Sequence, residues 1–333
     1  MPQSLPLSLL TTYQDLLDRH RFRPRPDPEG SILLVGSNGL KYWVARQRIG
    51  DRVVEKRIGP DNDENRAISA KLKSANDSLA GWRRDTGTLV AQLRAAGAPT
   101  PSPGTGKLIN AMERVGFFRS GGVLAGTHAF GLYELELGVR LEQLLAMTED
   151  VDVVADRSVH LFANQGISLV QSLNGLGLQP VQSPMSAHLV RWRTEDGIFL
   201  DVLSPRGRGG QDAVHPKGLG VWGQALPFIE FALKDPIDAV LLYREGILVR
   251  VPAPWRYAVH KLIVASLRTG IHAAKSTKDR AQAAVLIEAM HESRPHELGE
   301  AYRQALATGP AWSRAISASL EHQPKVKAWL DSL

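Results

Sequence analysis

The sequence predicts a mixed α+β protein, and three features of the residue pattern indicate this. Near the N-terminus, apolar-rich runs separated by glycine-containing turns predict a small antiparallel β meander. In the middle of the chain, short strand-like runs alternate with stretches of helical composition. From Trp255 onward almost the whole chain has helical composition. The expected architecture is a mixed sheet flanked by helices, with the meander before it and a helical domain after it.

Length and composition limit the class of protein. With 333 residues, 43% of them hydrophobic and 22% charged, the chain is ordinary for a soluble protein of two or three units. We expect an N-terminal region at 1–106, a core at 107–253 and a C-terminal helical domain at 254–333. The absence of cysteine excludes disulfides, thiolate zinc sites and cysteine nucleophiles. Without a leader-like start or a long apolar run, a cytoplasmic location with no membrane partner is predicted.

The N-terminal elements are predicted from local patterns. Residues 21–30 are rich in proline and charge, which indicates an irregular segment. The meander is expected to contain three strands, at Ser31–Val35, Tyr42–Ile49 and Val53–Ile58. Residues 63–97 have the composition of one long helix or two shorter ones, and Leu108–Val115 also suits a helix.

The central elements alternate. A buried strand at Gly121–Ala125 precedes a helix over roughly Thr127–Ala146, with a break at Gly138. Another helix is expected around Phe162–Gly175. The remaining predicted strands lie at Val151–Val154, His188–Thr194, Gly197–Leu203, Ala239–Leu242 and Ile247–Val251, the last two as a hairpin.

Positive charge is concentrated near the N-terminus. The net charge is +6, and residues 1–60 hold ten Lys or Arg against six Asp or Glu. A local basic excess can attract a polyanion such as RNA or DNA. It can equally form a solvated basic surface, and the sequence leaves both alternatives open.

A glycine follows the apolar run Val123–Ala125 and starts a predicted helix. At Gly126–Thr127, backbone N–H groups at a helix N-terminus would create an anion site suited to a triphosphate. Glycine allows phosphates to approach closely, and Thr127 adds a hydroxyl. Junctions of this kind are common, so the motif is weak evidence when it stands alone.

Three acidic residues lie in apolar strand patterns. Asp150 and Asp152 alternate along one strand and therefore share a face, which suits Mg²⁺ unless they are solvated acids at a strand edge. Asp201 lies inside a third apolar strand, where burying a charge is costly without a partner. A metal shared with the Asp150–Asp152 pair would supply that partner, and a buried salt bridge is the alternative.

Together these elements resemble the nucleotidyltransferase superfold that includes DNA polymerase beta. Its pattern is an apolar strand ending in Gly-Ser/Thr, then Asp-x-Asp, then a lone Asp on another strand, here Gly126–Thr127, Asp150, Asp152 and Asp201. The resemblance implies that Asp150 and Asp152 hold two Mg²⁺ ions with the NTP. It also implies that Asp201 completes the metal that activates an acceptor hydroxyl, with release of pyrophosphate.

The C-terminal helices carry a second pattern. Lys261, Arg268 seven residues later and the pair Lys278–Asp279 resemble the AbiEii-type nucleotidyltransferases, the toxins of type IV toxin–antitoxin pairs. The resemblance implies that Lys261 and Arg268 contact nucleotide phosphates and that Asp279 orients them. It also implies a toxin-like enzyme with an antitoxin or regulatory partner. Gln282 departs from the family pattern, which has an acid there. Lys261 is expected to be a cation facing solvent in a cleft between the core and the C-terminal helices.

More broadly, residues 43–312 resemble an uncharacterised family of bacterial nucleotidyltransferase-like proteins. The resemblance is carried by the segments IGPD, GGVLAGTHAF, TEDVDVV, LDVLSP and VPAPWRYAVHKLIVA. The predicted function is Mg²⁺-dependent transfer of NMP from NTP to a hydroxyl acceptor on RNA, tRNA or protein. The alternative is a non-catalytic nucleic-acid-binding protein that retains the fold. In either case the basic meander is predicted to hold RNA, unless it only braces the core. Tyr42 and Trp43 lie on opposite faces of one strand, so one is expected to stack on a base and the other to pack inward.

Overall fold

The computed structural model describes most of the chain. The described residues are 3–26, 29–37, 39–49, 52–146, 148–159, 161, 168–183, 186–207, 209–268 and 273–333. Among them the mixed α+β class is confirmed. None of the described helices is long and apolar enough to cross a lipid bilayer.

The N-terminal region contains two helices and the meander. Helix α1 spans Leu7–Arg21, and strands β1 (Ser31–Ser37), β2 (Leu40–Ile49) and β3 (Arg52–Pro60) form an antiparallel sheet in that order. The predicted meander is therefore confirmed. Helix α2 is one continuous helix, Asp63–Ala95, which Asn62 caps by accepting a hydrogen bond from the backbone N–H of Asn65.

A seven-stranded mixed sheet forms the centre of the protein. Its strands are β4 (Val123–Leu124), β5 (Asp150–Val154), β6 (Gln179–Val181), β7 (Arg191–Arg193), β8 (Phe199–Pro205), β9 (Ala213–Val214) and β10 (Gly223–Leu226). The main order is β4-β5-β8-β10-β9, with β5 and β10 parallel to β8 and β4 antiparallel to β5. Strand β7 pairs antiparallel with β8 and carries β6 at its other edge.

Helices and a hairpin surround this sheet. The remaining elements before the C-terminal helices are α3 (Pro103–Arg114), α4 (Gly126–Leu137), α5 (Leu169–Ser172), α6 (Ile229–Ala232), β11 (Ile237–Leu241) and β12 (Ile247–Val251). Strands β11 and β12 form the predicted hairpin as a separate two-stranded sheet.

The helix predicted over Thr127–Ala146 is too long. Helix α4 stops at Leu137 because Gly138 adopts a left-handed conformation, φ 70°, that ends a helix readily. A short 3₁₀ turn follows at Gln143–Ala146. Of the helix predicted around Phe162–Gly175, residues 162–167 lie outside the described residues, and the rest forms α5 and a 3₁₀ turn.

The C-terminal region is helical, as predicted. Its helices are α7 (Pro254–Leu267), α8 (Ala273–Met290), α9 (Pro295–Ala307), α10 (Pro310–Leu320) and α11 (Pro324–Asp331). One hydrophobic core contains Leu124 and Val153 of the sheet, Tyr133 of α4, and Leu262 and Leu286 of α7 and α8. The predicted boundary at residue 253 therefore marks a change from strands to helices, while the core continues across it.

Candidate active site

Strands β5 and β8 bring the three predicted acids to one face of the sheet. The strands are parallel, and their register pairs Asp152 with Asp201 and Asp150 with Phe199. Side chains alternate along a strand, so register partners and residues two apart point the same way. Val151 and Val153, on the opposite face, are completely buried in the core. We call Asp150, Asp152 and Asp201 the acidic face.

Two carboxylates of the acidic face are electrostatically strained. Burial raises the pKa of Asp201 to about 7, and repulsion from Asp152 and Asp150 adds to the effect. Burial also raises the pKa of Asp152, and the nearby charge of Lys261 opposes that rise. Carboxylates that are partly desolvated and repel each other gain stability from a cation beside them.

The start of α4 lies directly against the acidic face. The backbone N–H of Ala125 donates to the carbonyl oxygen of Asp152 across 2.8 Å. Gly126 has a φ of 60°, and a Cβ atom there would collide with the Asp152 carboxylate. Glycine is therefore required both for its backbone conformation and for the close approach. Thr127, the next residue of α4, is half-buried.

The second predicted group forms a partly buried ion-paired cluster, with Lys261 on α7, Arg268 just after α7 and Asp279 on α8. Lys261 Nζ and Arg268 Nε each lie 2.5 Å from a different carboxylate oxygen of Asp279. The Lys261 side chain is only 12% exposed, so the expectation of a solvent-facing cation is wrong. The expectation fails because Lys261 on α7 is paired with Asp279 on the next helix, α8. Lys261 and Arg268 both oppose the raised pKa of Asp152, so this cluster lies within electrostatic range of the acidic face.

Two further lysines of α8 belong to the same surroundings. Lys275 is exposed, and its charge opposes the raised pKa values of both Asp152 and Asp201. Burial lowers the pKa of Lys278, and the neighbouring charge of Lys261 adds to that shift. We call Lys261, Arg268, Lys275 and Lys278 the basic cluster, and the acidic face and basic cluster together the site. The sequence pattern included Lys278, but no role was predicted for it.

A hydrogen-bonded bracket joins the start of α4 to the C-terminal helices. The Oη atom of Tyr257 lies 3.0 Å from both the carbonyl oxygen of Gly126 and Oε1 of Gln282. Gln282 is completely buried and donates through Nε2 to the carbonyl oxygen of Leu145. The residue that departs from the family pattern therefore has a structural function, in which an amide supplies a donor that a carboxylate would lack.

Two histidines close to the site are partly buried. Burial lowers the pKa of His128 and of His260 to about 4. Within the described part of the chain, neither Nε2 atom has a hydrogen-bond partner. Packed neutral imidazoles fit these observations.

Arg191 contacts the acidic face, and no role was predicted for it from the sequence. It lies on β7 opposite Asp201, and its Nη2 donates to Asp150 Oδ1 across 2.6 Å. Its Nε lies 3.3 Å from Asp201 Oδ1, and its guanidinium carbon lies 4.2 Å from the centre of the Phe199 ring. The predicted strand His188–Thr194 contained Arg191, but only the register of β7 on β8 identifies its partners.

The donor chemistry of the acidic face fits Mg²⁺, which prefers carboxylate oxygens. Among the described residues, however, no three Asp, Glu or His side chains are gathered into a ready metal cluster. Arg191 contacts Asp150 and Asp201 in this arrangement. A cavity of about 90 Å³ between α1, α3 and the β11–β12 hairpin is lined by none of the residues of the site.

Comparison with known proteins identifies the family. No curated protein matches the chain. The crystal structure of an antigenic nucleotidyltransferase-like protein from Paracoccidioides brasiliensis is 17% identical, and the match covers 66% of this chain and 95% of that one. Its TM-score is only 0.30, so the assignment rests on sequence. A family model described as Nucleotidyltransferase matches residues 104–307, which is more than half of the chain and includes every residue of the site. The chain therefore belongs to this nucleotidyltransferase family, and it is an enzyme of that class.

Proposed function

We propose that the enzyme transfers a nucleoside monophosphate from an NTP to a hydroxyl acceptor, in a reaction centred on Asp150, Asp152 and Asp201. The observation that carries this proposal is the register of β5 and β8, which sets Asp152 and Asp201 side by side. Acids held this way within range of the basic cluster suit a reaction between a polyanionic substrate and a hydroxyl group.

The acidic face is the proposed metal site. Its carboxylate oxygens are the ligands that Mg²⁺ prefers, and the register of β5 and β8 holds them on one face of the sheet. Burial and mutual repulsion raise the pKa of Asp201, and a bound cation would offset both effects. When bound there, Mg²⁺ would neutralise charge on the triphosphate and favour ionisation of the acceptor hydroxyl. Asp150 and Asp152 would face the triphosphate, and Asp201 would face the acceptor.

The triphosphate is proposed to lie between the start of α4 and the basic cluster. Backbone N–H groups at Gly126 and Thr127 would point at the phosphates, because the N-terminus of a helix carries unpaired donors and partial positive charge. Lys261 and Arg268 would neutralise phosphate charge. Asp279 would orient both side chains, consistent with its contacts to them at 2.5 Å.

RNA is the acceptor class that we propose to test first. The excess of basic residues in residues 1–60 lies outside the family match and could hold a polyanion. A toxin-like role with an antitoxin partner is the special case in which that RNA is tRNA.

The test is incorporation of label from each α-labelled NTP into a total RNA pool and a protein lysate. Label should enter one acceptor class with Mg²⁺ and not with a chelator present. Asp152→Asn should reduce the rate by about a thousandfold, since losing a metal ligand removes several kcal/mol of transition-state stabilisation. Glu149→Gln is the matched control, because Glu149 is the exposed acid next to Asp150. Equal rates in the two variants, or transfer that needs no metal, would contradict the proposal.

A further inference from the structure

Arg191 makes the closest charged contacts of the acidic face. Its guanidinium reaches Asp150 at 2.6 Å and Asp201 at 3.3 Å, so it links the two strands that carry the acids. The ring of Phe199, the register partner of Asp150, lies beneath the guanidinium. The Arg191 side chain is 26% exposed, so it has a route towards solvent.

These contacts offset part of the negative charge of the acidic face. Burial and mutual repulsion destabilise the charge on Asp201, and Arg191 opposes that effect. Because guanidinium remains charged and offers no lone pair, it can neutralise carboxylates but cannot act as a metal ligand. Carboxylate oxygens that accept hydrogen bonds from Arg191 are correspondingly less available to a metal ion.

We propose that Arg191 is an exchangeable counter-cation, which holds Asp150 and Asp201 in the metal-free enzyme and leaves them when a divalent metal binds. This inference rests on the proposed function, since it takes the acidic face as the metal site. Two cations sharing the same carboxylates repel each other strongly where water is scarce, so metal binding requires Arg191 to move away. Arg191 is thus a positioning residue that lowers metal affinity while keeping the empty site folded.

The surroundings of the Arg191 Nε atom favour a contact that can be exchanged for a metal over a permanent structural contact. This atom is buried and, among the described residues, has no hydrogen bond of good geometry, although Asp201 lies 3.3 Å away. A permanent buried arginine would normally satisfy its donors. The contact to Asp201 is therefore electrostatic and incomplete, which makes it easier to give up.

The test is Mn²⁺ binding to the full chain without nucleotide, measured by calorimetry at one pH and ionic strength. Arg191→Gln should bind Mn²⁺ at least about tenfold more tightly than the parent, because the competing charge is gone. Arg193→Gln is the matched control. Arg193 lies on the same strand and near the same Phe199 ring at 5.4 Å, and no described carboxylate pairs with it. It makes the same change in net charge and should leave Mn²⁺ affinity unchanged.

Thermal unfolding supplies a second readout. Without metal, Arg191→Gln should melt at a lower temperature than the parent, and Mn²⁺ should raise its melting temperature by more. If Arg191→Gln fails to fold, Arg191→Lys replaces it; lysine keeps the charge but reaches one acid rather than two, so Mn²⁺ affinity should still exceed that of the parent.

Asp201→Asn separates failure of this inference from failure of the proposed function. If Asp201→Asn abolishes Mn²⁺ binding while Arg191→Gln leaves the affinity unchanged or weaker, the proposed exchange of Arg191 for the metal is overturned and the metal site stands. Mn²⁺ binding that is insensitive to Asp201→Asn, or absent from every variant including the parent, overturns the proposed metal site and the exchange together.

Discussion

The meander and the site both contain ion pairs, but the pairs differ in burial. In the meander, Arg46 and Glu55 approach to 2.6 Å, with side chains 45% and 46% exposed. In the site, Lys261 and Asp279 approach to 2.5 Å, with side chains 12% and 5% exposed. An exposed pair contributes about 0–1 kcal/mol, whereas burying a pair costs several kcal/mol in lost hydration. Burial, more than contact distance, therefore distinguishes the pair at the surface from the pair that the fold encloses.

The aromatic residues of the meander follow the same distinction. The guanidinium carbon of Arg57 lies 3.7 Å from the centre of the Tyr42 ring, and Trp43 donates through Nε1 to Asp61. One of these two aromatics was predicted to stack on an RNA base, and each of them already has a partner within the protein. Binding RNA through Tyr42 would require it to exchange Arg57 for a base.

The largest expected effect on stability is at Asp279. Asp279→Ala leaves Lys261 and Arg268 without their shared partner, so it should lower the free energy of unfolding by roughly 3 kcal/mol. Glu55→Ala in the meander breaks an exposed pair and should cost less than about 1 kcal/mol. Urea denaturation of the two variants and the parent measures the difference. Equal losses of unfolding free energy in Asp279→Ala and Glu55→Ala would show that burial does not set the contribution of these ion pairs.

Gly126 should be the next most sensitive position. Gly126→Ala forces a left-handed backbone on alanine and drives a Cβ atom into Asp152, so we expect a loss of roughly 2 kcal/mol in stability, with weakened metal binding. Gly131→Ala in the same helix is the control. A Cβ there makes only an ordinary contact with Ala146, and replacing a mid-helix glycine should stabilise by about 0.5–1 kcal/mol. Thermal unfolding and Mn²⁺ titration of both variants test this. If Gly126→Ala were stabilising, as Gly131→Ala should be, or bound Mn²⁺ as tightly as the parent, the close approach of Gly126 to Asp152 would be contradicted.

Histidine titration should separate the regions by pH. The meander strands contain no histidine, whereas the pKa of His260 near the site is lowered to about 4 by burial, with Lys261 adding to the shift. The unfolded chain binds this proton near pH 6.5, so stability present above pH 6.5 is lost as the pH falls towards 4. His128 acts in the same direction. The raised pKa of Asp201 acts in the opposite direction, because the folded state keeps that proton up to about pH 7.

Replacing His260 isolates its share of this pH dependence. Between pH 7 and pH 5.5, His260→Gln should lose about 1 kcal/mol less unfolding free energy than the parent. Denaturant unfolding at both pH values measures this difference. The same pH dependence in parent and variant would show that His260 does not stay neutral in the folded protein.

The smallest effect should come from the meander. We expect the change of Arg46, Arg48, Lys56 and Arg57 to Ser to act mainly on RNA binding. Losing the exposed Arg46–Glu55 pair should cost less than about 1 kcal/mol in stability. If the meander holds RNA, this variant should bind RNA more weakly than the parent. The slope of log affinity against log salt concentration should become shallower by about 0.7 for each lost contact with a phosphate of single-stranded RNA. RNA binding at two salt concentrations tests this. An unchanged affinity and slope would assign the meander to bracing the core.

Local patterns predicted much of the fold. Strand β5 was predicted because apolar residues alternate with Asp150 and Asp152. Strand β8 was predicted because apolar residues lie on both sides of Asp201. Gly138 signalled the end of α4 because glycine tolerates the left-handed conformation. Helix α1 and the short strands β9 and β10 were not predicted. Strands of two to four residues carry too little periodicity, and their pairing depends on the sheet.

The site was predictable in its acids and less so in its cations. A charged residue in an apolar strand is a local signal, which is why Asp201 was identified from sequence. Arg191 gave no such signal, because its partners depend on the register of β7 on β8. Lys261 was expected to face solvent because its pairing with Asp279 joins two helices and cannot be read from spacing along one of them.

The most direct test of the account is a crystal structure of the enzyme with Mn²⁺ and a non-hydrolysable NTP. We expect an anomalous metal peak within coordination distance of Asp152 and Asp201, with Arg191 withdrawn from Asp150. We also expect the triphosphate between the start of α4 and Lys261. A metal peak away from β5 and β8, or a triphosphate bound elsewhere, would contradict the central claim that this acidic face performs nucleotidyl transfer.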